Sequence, residues 1–250
     1  MLSLIGLGLF DEKDLTVKGL ERAKNADRVY AEFYTSRWHG DIKKLEKMIG
    51  KKIEIVDRKD LEERSNKIVE EAKNKKIVVF VLGDPLVATT HTSLLSDAKR
   101  DGVKTEVVHN ASIYSAVGET GLHLYKFGRT VTIPFPEKTK STDTLADAIE
   151  ENMKMGLHSL LLLDVISERE KYMSPEVGMK ILLKMKKKFF TKNTEIIVFA
   201  RAGSSKVFIG YGRVKDLIKR NFGDSPFVMI IPGKLHFTER EYLEHHRVSK

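Results

Sequence analysis

The chain has 250 residues, 41% of them hydrophobic, which is enough for one large domain or two small ones with real cores. It has no cysteine, which excludes disulfides, thiolate zinc sites, cysteine nucleophiles and cysteine-ligated iron–sulfur clusters. The formal net charge of +9 suits nucleic acid, acidic protein surfaces or anionic lipid, but the lysines are scattered and read better as a charge-rich surface.

The first half alternates strand and helix. Leu2 to Ile5 is an apolar run of the kind buried on both faces of a sheet, and it passes straight into Gly6-Leu7-Gly8. Asp14 is placed to cap a helix carrying Leu15, Leu20, Ala23 and Ala26. Val29 to Phe33 reads as a strand. Ile42, Leu45, Met48 and Ile49 share a helical face closed by Gly50. A strand over Ile53–Val56, a helix over Leu61–Ala72 and a strand over Ile77–Leu82 follow, the last ending in Gly83-Asp84-Pro85. Leu94, Leu95 and Ala98 mark a helix, and Val103 to His109 the last strand of this half. That order predicts a mostly parallel sheet.

Residues 109–128 are rich in small and polar types and mark the boundary. We expect an N-terminal α/β domain over 1–112 and a C-terminal α/β domain with a mixed sheet over 118–250. The second half has strands at Arg129–Ile133, Ser159–Asp164, Glu195–Arg201, Val207–Tyr211 and Phe227–Ile231, with helices between them. Val207–Tyr211 and Phe227–Ile231 suggest antiparallel pairing. Ser174-Pro175 is a helix start, and the run Lys184 to Lys188 falls late in the helix that follows.

Two glycine-cornered strand ends carry the chemistry. Ligands of open α/β sheets bind at the carboxyl ends of strands, and Gly6 and Gly8 leave backbone open to a ligand. A dinucleotide fingerprint fails, because Asp11 stands where a third glycine is needed. The glycine loop of the commonest methyltransferase fold fails at Phe10. Glu32 can imitate a ribose-binding acid. Pro85 restricts Asp84 to extended geometry at a strand end, and the plainer alternative is an acid closing an ordinary turn.

Gly6-x-Gly8, Leu15-Thr16-x-Lys18-Gly19, Ala26-Asp27-x-Val29-Tyr30 and Gly83-Asp84-Pro85 resemble the tetrapyrrole methylase superfamily. Within it, the stretches 32–36, 83–91, 111–117, 121–128, 200–203 and 232–236 resemble the diphthine synthases over nearly the whole chain. The resemblance implies two α/β domains with S-adenosylmethionine in the cleft between them and S-adenosylhomocysteine as product. It implies cofactor contacts at Leu9, Asp84, Val87, Ser112, Ile113, Leu163, Ala202 and Phe227, several of them through backbone groups. It implies successive methylation of the amino group of a 3-amino-3-carboxypropyl histidine on translation elongation factor 2, giving diphthine. A homodimer, a cytoplasmic location and no need of nucleic acid or membrane complete the expectation.

Methyl transfer from a sulfonium is an in-line displacement governed by positioning, so no catalytic acid, base or metal is nominated. Of the remaining polar residues, His245-His246 reads as a solvated tail, His39 beside Trp38 as a surface pair, and His123, Tyr125 and Lys126 as packing. Arg201 is a candidate for an acidic group of the substrate. The alternatives are a same-fold methyltransferase acting on ribosomal RNA or a corrin precursor, and a non-catalytic basic module binding RNA.

Overall fold

The computed structural model describes residues 1–139 and 141–248, and the chain divides into two compact units, Met1–Tyr114 and Ser115–Lys250. The first unit holds β1 (Leu2–Gly6), α1 (Val17–Lys24), β2 (Arg28–Glu32), α2 (Ile42–Ile49), β3 (Ile53–Val56), α3 (Arg58–Glu62), α4 (Asn66–Asn74), β4 (Ile77–Val81), α5 (Thr92–Arg100) and β5 (Thr105–Val108). Its sheet has the order β3-β2-β4-β1-β5, and every pairing is parallel. All five residues of β1 and all five of β4 are buried, as their unbroken apolar runs require. One face packs Leu4, Tyr30, Val79 and Val81 on α4 and α5; the other packs Ile5, Ala31 and Phe80 on Ala23 of α1 and Leu45 of α2.

The short α6 (Ile113–Ala116) leads into the second unit. There follow β6 (Val131–Ile133), α7 (Asp143–Lys154), β7 (Ser159–Leu163), the small hairpin β8 (Val165–Ile166) and β9 (Lys171–Tyr172), α8 (Pro175–Lys184), β10 (Glu195–Ala200), β11 (Phe208–Arg213), α9 (Val214–Leu217), β12 (Phe227–Ile231) and α10 (Phe237–Glu244). The order is β11-β10-β12-β7-β6, antiparallel except for β6 with β7. This is the mixed α/β architecture expected of the second half.

Several local expectations are corrected. Thr16, not Asp14, caps α1: its hydroxyl accepts the Gly19 amide at 3.0 Å. The helix expected over Leu61–Ala72 is two helices, because an Asp57/Asp60 capping box starts α3 early and the chain breaks at Glu63. Strands β11 and β12 do pair antiparallel, as expected, but each with β10 between them and not with each other. Helix α8 stops at Lys184, and Lys186 has φ +53°, so most of the lysine run lies beyond the helix. Residues 246–248 are no free tail: Tyr211 donates its amide to the His246 carbonyl at 2.8 Å, and Val248 donates to Tyr211 at 2.9 Å.

Candidate functional site

In the first unit the carboxyl ends of β1, β4 and β5 meet. Gly8 and Gly83 form a two-residue antiparallel bridge beyond the ends of β1 and β4, with N–H to O distances of 3.2 and 2.9 Å. Both have positive φ, +81° and +68°, which favours glycine there. The glycines of the first strand end serve the protein more than a ligand. A Cβ on Gly6 would lie 2.5 Å from the Gly83 carbonyl oxygen, and one on Gly8 would lie 2.4 Å from Asp14 Cβ. The notion that Gly6 and Gly8 hold backbone open to a ligand is therefore corrected: close packing between loops fills that space. At Gly83 a Cβ would meet only Ser112, at 3.7 Å, so its backbone geometry alone selects glycine.

Asp14 organises the loop after Gly8. Its Oδ2 accepts the amides of Leu9 at 3.1 Å, Phe10 at 2.7 Å and Asp11 at 3.4 Å. The Leu9 N–H is thus already engaged. Asp84, 6% exposed, is a strut between two loops. Its Oδ1 accepts the Leu86 amide at 3.0 Å, while Oδ2 meets His109 Nδ1 at 2.8 Å and the Asn110 amide at 3.2 Å. The turn reading of Asp84 therefore describes one oxygen, and the other fixes the β5 loop. Val87 donates its amide to the Asp84 carbonyl at 3.2 Å, and Ala88 sits at φ +55°, uncommon for a residue with a side chain. Ser112 is buried at the start of α6, next to Ile113. Thus Asp84, Val87 and Ser112 gather around Gly83, and Leu9 follows its bridge partner.

In the second unit, Leu163, Ala202 and Phe227 come to one end of the sheet. Phe227 pairs with Ala200, its neighbour Val228 pairs with Leu162, and Ala202 follows β10 by two residues. A cavity of about 250 Å³ opens beside Phe227, lined also by Pro175, Lys219, Asn221, Phe222 and Gly223. Arg201, by contrast, is not free to bind substrate. Its Nε donates to the Lys206 carbonyl at 2.9 Å and its Nη1 to the carbonyls of Asp224, at 2.9 Å, and Phe222.

Glu32 is completely buried and accepts from the Tyr34, Thr35 and Leu82 amides and the Thr35 hydroxyl, tying β2 to β4. Burial pushes its carboxyl up against the pull of those bonds. It binds no ribose. Composition gave no signal for the pair beside it. The Tyr34 hydroxyl and both ring nitrogens of His91 are buried without a hydrogen-bond partner, the rings 6.4 Å apart. Burial lowers His91 to about 4, so it is neutral at pH 7.

His123 and Lys126 belong to a structural network, whereas Tyr125 is exposed rather than packed and touches it only through its hydroxyl, 3.0 Å from His123 Nδ1. Fully buried Glu239 accepts the amides of His123 at 2.9 Å and His236 at 2.7 Å, meets His158 Nε2 at 3.0 Å and pairs with Lys126. Burial would raise its carboxyl, but these bonds outweigh it and hold it at about 2. Among the described residues, no cluster of three His, Cys, Asp or Glu could hold a metal ion, and no helix is long and apolar enough to cross a membrane.

The first-unit set fits an adenosyl-amino-acid cofactor by its donor types. It offers backbone groups in fixed turns, a buried serine, and a carboxylate with three of its roughly four acceptor positions filled. The profile of the Tetrapyrrole (Corrin/Porphyrin) Methylases matches residues 1–217. The chain is 47% identical to diphthine synthase of Methanocaldococcus jannaschii over 252 residues, covering 98% of both chains. It is 45% identical to diphthine synthase of Methanococcus vannielii over 250 residues, again with 98% of each covered. A crystal structure of a diphthine synthase superposes with a TM-score of 0.91 at 39% identity, covering 98% of this chain and 95% of the other. The chain belongs to the tetrapyrrole methylase family and, within it, to the diphthine synthases, S-adenosylmethionine-dependent methyltransferases of diphthamide biosynthesis.

Proposed function

We propose that the protein methylates, in succession, the amino group of a 3-amino-3-carboxypropyl histidine on translation elongation factor 2, ending at the quaternary ammonium of diphthine. The observation that carries this reading is the near-full-length match to diphthine synthases. Leu9, Asp84, Val87, Ser112 and Ile113 of the first unit, and Leu163, Ala202 and Phe227 of the second, are the proposed cofactor contacts. Bound S-adenosylmethionine supplies an electrophilic methyl on sulfur. The chain's part is to bind and orient. Asp84 holds the turn carrying Val87 in register with the β5 loop, and Asp14 holds the turn carrying Leu9. Asp84 acts first as this strut, with its remaining acceptor position available to the cofactor.

With the cofactor bound, a neutral amine would displace its methyl in line, so the chain's residues need only hold the two in position and exclude misaligned approach. The released proton passes to water. The third transfer begins from a tertiary amine and releases none, so a dedicated base is not required. We further propose a cytoplasmic homodimer whose basic surface steers encounter with elongation factor 2.

Label transfer from S-adenosylmethionine tests this reading. Label is expected in the factor carrying the aminocarboxypropyl group, and neither in the unmodified factor nor in ribosomal RNA. Label in RNA and none in the modified factor would replace it with the RNA reading.

A further inference from the structure

The net charge of +9 is not spread evenly over the chain. Residues 184–220 hold 11 lysines and arginines against 2 acids, and the rest of the chain carries 33 of each sign. The whole excess therefore sits in one segment of the second unit, and the fold gathers it. Helix α8 ends at Lys184, and the loop after it returns to the start of α9. There the Lys215 amide donates to the Lys192 carbonyl and the Val214 amide to the Thr194 carbonyl, each at 2.9 Å. Phe189, Phe190, Leu217 and Ile218 turn inward onto the second unit's core. Lys184, Lys186, Lys188, Lys192, Lys215 and Lys219 are all exposed, and among the described residues none of them has a carboxylate partner. Their neighbour Lys187 pairs with Glu150 at 3.9 Å. Of the two acids, Glu195 is held by Tyr211 at 2.6 Å and Arg247 at 3.1 Å, and Asp216 is half-buried. Cations of the first unit behave otherwise: Lys18, Arg22, Arg28, Lys52, Arg64 and Lys73 each meet a carboxylate. Lys219, one turn after Lys215, lines the cavity beside Phe227, so the patch reaches the edge of a proposed cofactor contact.

A face of like charges repels itself, and a partner that brings acids relieves the repulsion. The chemistry of the patch narrows that partner. Among the described residues from 184 to 220, Val207 is the one large apolar side chain that is exposed. The patch thus offers neither rings for stacked bases nor apolar anchors for a lipid surface. Lysines are point charges on flexible stems, which suit a broad acidic face better than a planar clamp on one phosphate. Across a two-fold axis the patch would meet its own copy and repel it, so it stays open in a homodimer. We propose that this lysine patch is the docking face for an acidic surface of the protein substrate. This inference rests on the substrate reading given above and adds where the factor is held.

Three full-length variants are compared with wild type. One carries Lys188→Glu, Lys192→Glu and Lys215→Glu, and the second carries glutamine at the same three positions. The third is a control in the first unit with Lys47→Glu, Lys67→Glu and Lys99→Glu, exposed lysines whose reversal changes the net charge equally. KM and kcat for the aminocarboxypropyl-modified factor are measured at rising ionic strength, and S-adenosylhomocysteine affinity by calorimetry. The patch reversal should raise KM about tenfold at low salt, with kcat and cofactor affinity unchanged. The glutamine variant should raise KM less, and both should converge on wild type as salt screens the charges. The control should stay within about twofold of wild type. Should the reversal lose cofactor affinity through misfolding, the glutamine variant decides. An unchanged KM in the patch variants, or an equal rise in the control, overturns the patch and leaves the substrate reading standing. Ribosomal RNA bound by wild type and released by the patch reversal, with KM for the factor unchanged, would assign the patch to RNA and overturn it likewise. Absence of any methyl addition by wild type would sink the substrate reading and the docking face with it.

Discussion

At the scale of single residues, side chains that attract attention in the sequence turn out to hold loops together. Asp84 spends both carboxylate oxygens on Leu86, His109 and Asn110. Asp84→Ala should therefore lower stability by about 1–3 kcal/mol, as expected when buried partners lose their acceptor, and weaken S-adenosylhomocysteine binding as well. Chemical denaturation and calorimetric titration measure the two effects, and an unchanged cofactor affinity would leave Asp84 with the strut role alone. Arg201 gives the opposite pattern. It donates to three backbone carbonyls, so Arg201→Lys should destabilise by about 1–3 kcal/mol while the KM for protein substrate stays the same. A raised KM at unchanged stability would restore it as a substrate contact. Neither role can be read from sequence, because the partners lie up to 26 positions away and carry no motif.

Among the elements, β1 and β4 are legible because an apolar run that ends in glycine has few other uses. The strands at Ile53–Val56 and Phe227–Ile231 match the sequence reading residue for residue. The break between α3 and α4 is not legible, since no glycine or proline marks Glu63 to Ser65. The Glu239 network is equally hidden, because its partners come from residues 123, 126, 158 and 236. It makes a pH prediction. Glu239 is held at about 2, below its ordinary 4.5, so its stabilisation is complete above pH 4.5 and is lost as pH falls towards 2. His91 acts at a higher window. Its folded value of about 4 lies below the ordinary 6.5, so the unfolded chain takes up a proton first and stability declines as pH falls from 6.5 to 4. Glu239→Gln should flatten the lower limb of a stability–pH profile, and His91→Phe the upper one. Profiles that superpose on wild type would refute both assignments.

At the scale of the whole molecule, the parallel first sheet and the mixed second sheet follow from the order of strands and helices, and the family follows from long matched stretches rather than from the glycine pair. The proposed homodimer predicts twice the 28.5 kDa chain mass in light scattering, and a monomer mass across micromolar concentrations would refute it. The net charge of +9 predicts that added salt slows encounter with elongation factor 2 more than it slows transfer in the bound complex. Intact-protein mass spectrometry of the factor, with and without its aminocarboxypropyl group, after incubation with enzyme and S-adenosylmethionine, tests the central claim most directly. Three successive methyl additions on the modified form and none on the unmodified form are predicted. Methylation of both forms, or of neither, would contradict it.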